Sequence, residues 1–132
     1  MKKLASGSIL FLCYVLFASS LFGQDNFQKT VIEAFKQGEL DKIEPYFTSS
    51  IYLELPETKG THSKNQTKIL LKAFFNKHKP TDFILVESGK AIDSQSNYYI
   101  GKLSTNTTDY QVYILGKPEQ QHIHSISLIE IP

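Results

Sequence analysis

His122 and His124 are separated by a single residue near the end of the chain, in a stretch whose alternation is that of a β-strand. On a regular strand such a pair shares one face with the imidazoles about 7 Å apart, which is where a metal site could begin. A closed site needs further donors, and no cysteine or suitably spaced carboxylate accompanies the pair. His62 and His78 lie near the two ends of what reads as one helix and would have to converge on it. The reading is therefore no metal and no cofactor. Ile126 and Leu128, on the same face of a regular strand, mark its core side, and the histidines then lie toward the sheet's end, partly solvated.

A second set is aromatic. Phe35, Tyr46, Phe47, Tyr52, Phe74 and Phe75 either fill the core or line a small apolar cavity closed by helices against a sheet. A small domain needs such rings to bury enough surface. The remaining patterns are weaker. Asn65-Gln66-Thr67 and Asn106-Thr107-Thr108 match glycosylation acceptors but read as a capped helix start and a turn. Leu55-Pro56-Glu57-Thr58-Lys59 has the look of a sorting signal, yet it is internal and no hydrophobic tail follows it. All 14 basic residues are lysine. Without the bidentate fork of arginine, and with no basic stripe in its place, nucleic-acid binding is not expected and phosphorylated substrates are disfavoured.

The elements that must position these residues follow a leader. Lys2 and Lys3 precede an apolar stretch over 9–17, and Gly23 comes just before polar Gln24-Asp25-Asn26. Residues 1–23 thus read as a secretory signal peptide, too short and wrongly flanked for a membrane span of roughly 20 apolar residues, and no later segment supplies one. Cys13, the only cysteine, falls inside it. The exported chain, 24–132, then has no thiol for disulfides or thiolate chemistry. Removing 23 residues from 132 leaves 109, one domain with one core, carrying 12 lysines against 13 acidic groups.

Within it, Phe27, Val31, Ala34 and Phe35 recur at helical spacing, from a capping-box-like Asp25/Gln28 start to a stop at Gly38. The segment 39–47 reads as a short helix or turn interrupted near Pro45. Residues 50–55 alternate as a short strand, 58–61 read as a loop, and Ser63 with Gln66 caps a helix running to about Lys77. Strands are expected over 82–88, 97–105, 109–117 and 121–131, joined by short turns into an antiparallel meander. This order predicts an α+β domain, a curved antiparallel sheet packed on N-terminal helices. The run Phe83-Ile84-Leu85-Val86 is apolar on both faces, so with helices on one side a homodimer packed sheet to sheet is expected on the other.

The stretch from Ala34-Phe35-Lys36-Gln37-Gly38 through Pro45-Tyr46-Phe47, the segment Gly60-Thr61-His62-Ser63-Lys64 leading to Leu71-Lys72-Ala73-Phe74-Phe75, and the later Tyr110-Gln111-Val112-Tyr113 and Ile123-His124-Ser125-Ile126 resemble a family of small exported bacterial proteins, domain of unknown function 4783. That family is similar to the nuclear transport factor 2-like, or cystatin-like, cone superfamily. The resemblance implies a curved sheet around a long helix, often with a pocket, and brings no functional residue with it. The superfamily's isomerases and dehydratases imply acid-base groups in such a pocket, for which Asp109, Tyr99, Tyr113, His122 and His124 are the candidates. On a meander, Asp109 is more simply a surface residue at a strand start and the tyrosines are ordinary half-buried strand residues. The reading is a periplasmic or secreted, noncatalytic module binding a small apolar ligand or a protein partner. Phe35, Tyr46, Phe74, Tyr99, Tyr113, His122 and His124 are its pocket candidates. The alternative is a small cofactor-free enzyme of isomerase or dehydratase type acting on an apolar substrate.

Overall fold

The computed structural model describes residues 26–93 and 95–132; the expected leader over 1–23 lies outside the described residues, as does Asp25. Helix α1 covers 26–37 and buries Phe27, Val31, Ala34 and Phe35, the stripe its spacing predicts. It ends where Gly38 turns left-handed at φ 70°, and the Glu39 N–H donates back to the Ala34 carbonyl at 2.9 Å. That six-to-one bond over a left-handed glycine is a Schellman stop. The chain then makes two single 3-10 turns, Leu40–Lys42 and Glu44–Tyr46, with Pro45 in the second. The proline ring cannot donate an amide to a longer helix, which is why 39–47 yields turns.

Six strands follow: β1 Phe47–Leu55, β2 Thr58–Ser63, β3 Pro80–Lys90, β4 Asn97–Thr105, β5 Asp109–Lys117 and β6 His122–Glu130, with helix α2, Lys64–Lys77, between β2 and β3. They form one sheet in the order β2-β1-β6-β5-β4-β3, parallel between β1 and β6 and antiparallel elsewhere. The four-strand meander expected from the last third of the chain is present. Expected as a loop, 58–61 instead belongs to β2, hairpinned onto β1. This strand lies at the sheet edge and alternates between half-buried and exposed residues, so Thr58, Lys59 and Gly60 never supply the apolar period that announces a strand. Irregular registers within β1, at two places in β3 and between Leu115 and Gly116 bend the sheet.

Both helices lie on the inner face. Phe27 of α1 meets Tyr99 at 6.0 Å between ring centroids, and Phe35 sits between Phe83 at 5.4 Å and Phe75 of α2 at 5.9 Å. Ile51 and Leu53 of β1, Val112 and Ile114 of β5, and Ile126 and Leu128 of β6 complete the core, each almost wholly buried. The N terminus of α2 is capped as expected, the Ser63 hydroxyl accepting from the Gln66 N–H at 3.1 Å. On the outer face Ile84 of β3 is 57% exposed, and Val86, the unpaired residue at the register shift between Leu85 and Glu87, is 68% exposed. Beside it Tyr98 and Ile100 register against Leu115 and Tyr113.

The register of β6 corrects one expectation. Ser125 pairs with Leu115 but Ile123 pairs with Gly116, so His124 is an extra, unpaired residue. A bulge of this kind reverses the face of everything beyond it. Ile123 is therefore buried together with Ile126 and Leu128, and His122 does not share the core face with those two residues as strict alternation required.

Candidate functional site

A cavity of about 330 Å³ opens between the C-terminal half of α2, the β1–β2 turn and the strand ends at Tyr110 and Glu130. Leu70, Ala73, Phe74 and Lys77 reach it from α2; their i, i+3, i+4, i+7 spacing is one helix face. This face adjoins the stripe of Thr67, Leu71, Phe74 and Phe75 that enters the core, and Phe74 belongs to both. Leu55 and Pro56 close the side toward β1, with Glu57 and Thr58 beside them. The Lys77 Nζ lies 3.8 Å from a Glu57 carboxylate oxygen, and both side chains are largely in solvent.

The polar end is built where α2 stops. His78 ends the helix, its N–H donating to the Phe74 carbonyl at 2.8 Å. Its Nδ1 lies 2.7 Å from the Thr107 hydroxyl, and its ring packs 4.8 Å from Phe74 and 5.7 Å from Tyr110. Phe74 and Tyr110 meet edge to face at 5.0 Å, 76° between their planes. Such tilted aromatic contacts each add modestly to the area they bury, and together they fix all three rings. The β4–β5 turn holds Thr107 in place. Within it the Thr105 hydroxyl donates to the Thr108 carbonyl and accepts from the Thr107 and Thr108 amides, while Asn106 exchanges two bonds with the Lys79 backbone, at 2.9 and 3.0 Å.

Tyr110 is almost wholly buried. Burial, and secondarily the charge of Glu130, push its hydroxyl above the ordinary value of 10.0, with Thr107 pulling the other way. The hydroxyl thus stays protonated at physiological pH, able to donate a hydrogen bond. An imidazole, a protonated phenol and a carboxylate accordingly face a largely apolar recess. That arrangement can hold a molecule with one polar end, and its His78 and Tyr110 are of the types that accept and donate protons.

Of the seven pocket candidates read from the sequence, Phe74 lines this cavity. Phe35 is enclosed in the core, Tyr46 packs on Phe27 at 5.3 Å, and Tyr99 is buried beside Phe27. Tyr113 lies on the outer face, its ring nearly parallel to that of Tyr98 at 6.3 Å. His122 is exposed, and the His124 Nε2 lies 3.0 Å from the buried Ser96 hydroxyl. Desolvation, then Lys117, hold His124 below its ordinary value, against a smaller opposing pull from Asp93. Asp109 pairs with Lys102 at 3.4 Å on the surface. Among the described residues no group of three or more His, Cys, Asp or Glu side chains is placed to hold a metal. The sequence reading did not connect His78, Tyr110 and Glu130. The available signal was Ile69 to Phe75, where six of seven residues are apolar: too many for a single core stripe, so that some had to face elsewhere.

A curved sheet around two helices, with a cavity at the C-terminal end of α2, defines a nuclear transport factor 2-like cone. The same fold is seen in a steroid delta-isomerase from Pseudomonas aeruginosa, with a TM-score of 0.58 and 8% identity over 83% of this chain and 80% of that one. At that identity the likeness is one of fold alone. The chain belongs to the family of the domain of unknown function DUF4783, whose model matches residues 28–131. A DUF4783 family protein from Bacteroides ovatus is similar at 27% identity and TM-score 0.70, covering 78% of this chain and 94% of that one. Another from Bacteroides uniformis is similar at 25% identity and TM-score 0.71, covering 79% and 96%. Among curated proteins none matches significantly.

Proposed function

We propose that the protein is an exported, noncatalytic module that binds one small, largely apolar molecule in the cavity beneath α2. The supporting observation is the convergence of Leu55, Leu70 and Phe74 with His78, Tyr110 and Glu130 around a single recess of about 330 Å³. An apolar wall with a few convergent polar groups, in a volume of roughly 300 to 1,000 Å³, is the common form of a small-molecule site. Export rests on the leader pattern of residues 1–23 and makes the periplasm or the medium the working compartment; no helix among the described residues is long and apolar enough to cross a membrane. Native mass spectrometry of the protein recovered from its own exported fraction tests the binding role. One small molecule per chain, released on denaturation and absent from Ala73→Phe, is the expected result. Empty wild-type protein that also takes up no member of an apolar ligand panel would refute it.

A second reading is favoured by the neighbourhood of His78 and Tyr110. Acid-base catalysis needs a proton acceptor and donor within reach of one substrate, and the cavity wall offers both. A cofactor-free isomerase or dehydratase acting on an apolar substrate would lose its turnover in His78→Gln while keeping its ligand. For the outer sheet face we propose a homodimer, supported by the open Ile84 and Val86 beside Tyr98, Ile100, Tyr113 and Leu115. Light scattering at micromolar concentration should give twice the chain mass, and a monomer's mass removes the idea.

A further inference from the structure

Taking the cavity as a binding site, we infer that its preferred occupant is a small cation, an amine with an aromatic or apolar body. Phe74, His78 and Tyr110 set three rings against one another at the recess, with centroids 4.8 to 5.7 Å apart. The faces of phenyl and phenol rings such as those of Phe74 and Tyr110 carry negative potential and attract ammonium groups, more strongly where water is excluded. The sheet adds a full charge of the same sign. Glu130 stands directly opposite Tyr110 in the β5–β6 register, so the two side chains share a face, and both line the cavity. Among the described residues Glu130 joins no ion pair. On the other wall Glu57 is already matched by Lys77. The lining therefore carries one unmatched carboxylate next to an aromatic cluster. An anionic ligand meets that charge as repulsion, a neutral one gains nothing from it, and an ammonium gains from carboxylate and rings together.

Three probes of like skeleton separate this inference from the binding role on which it rests: 2-phenylethylamine, 2-phenylethanol and 3-phenylpropanoate. They are titrated into the purified protein at mildly alkaline pH and followed by amide chemical shifts of 70–78 and 110. The amine is expected to bind about tenfold more tightly than the alcohol, and the acid most weakly. Glu130→Gln, a change at an exposed strand end, should bring amine and alcohol together without altering the spectrum of the core. Equal affinities for all three probes, a preference for the acid, or an amine preference that survives Glu130→Gln would each overturn the charge inference while leaving the cavity a binding site. No response to any probe, in wild type and Ala73→Phe alike, would overturn both.

Discussion

Gly101→Ala tests the inner wall of the cone at its tightest point. A Cβ at this position would collide with Cζ of Phe83, and would stand 2.5 Å from its Cε2 and 3.0 Å from the Ile84 carbonyl oxygen. Carbon atoms in good contact are about 3.5 to 4.0 Å apart, so the Phe83 ring must retreat by more than about 1 Å. It has little room to do so. Phe83 is 4% exposed and rests on Phe35, which is itself held by Phe75 of α2. One methyl group would thus press a strand against both helices. Overpacking of this kind costs about 1 to 3 kcal/mol, and the enclosed ring puts this case near about 2 kcal/mol. In a domain of this size that lowers Tm by on the order of 10 °C. Urea unfolding followed by far-ultraviolet circular dichroism measures the loss directly. Phe83→Leu removes the ring atoms at which the clash occurs, so the double variant should be more stable than the two single losses added together by about 1 kcal/mol or more. Gly101→Ala within about 0.5 kcal/mol of wild type, or strict additivity with Phe83→Leu, would refute the packing argument.

Ser63→Ala removes the side chain that accepts from the Gln66 amide at the start of α2; a loss of about 1 kcal/mol is expected in the same unfolding assay, and Ser63→Gly should cost less. His124 is held below its ordinary value of 6.5 by desolvation and Lys117. The unfolded chain therefore takes up the proton first, so the contribution of this residue is complete above about pH 6.5 and declines as pH falls through the lower folded value. Titration of the His124 ring protons should show the depressed midpoint. His124→Gln should flatten stability over that acid range, and an unchanged slope would sink the assignment.

The local rules of the chain were legible without coordinates. The Phe27, Val31, Ala34 and Phe35 stripe, the stop at Gly38, the cap at Ser63 and the four strands after Pro80 depend on neighbours within a few residues, and the order of elements already placed helices against a curved sheet. The edge strand β2 was not legible, because its pairing comes from β1 and its own residues carry no apolar period. Nor was the bulge at His124, since a single unpaired residue costs the pattern nothing locally yet changes which side chains share a face. The candidate site lay furthest from view. The ring of Phe74, like those of Phe35 and Tyr46, fitted core and cavity equally well in the sequence, and Leu55, His78, Tyr110 and Glu130 are brought together from the end of β1, the end of α2, the start of β5 and the end of β6. The sequence by itself determined which segments would be helix or meander, and that residues 24–132 hold neither cysteine nor arginine for their chemistry. Tertiary structure alone decided which imidazole shares a cavity wall with a tyrosine and a carboxylate, because strand register and the crossing of α2 over the sheet are settled by packing between residues far apart in the chain.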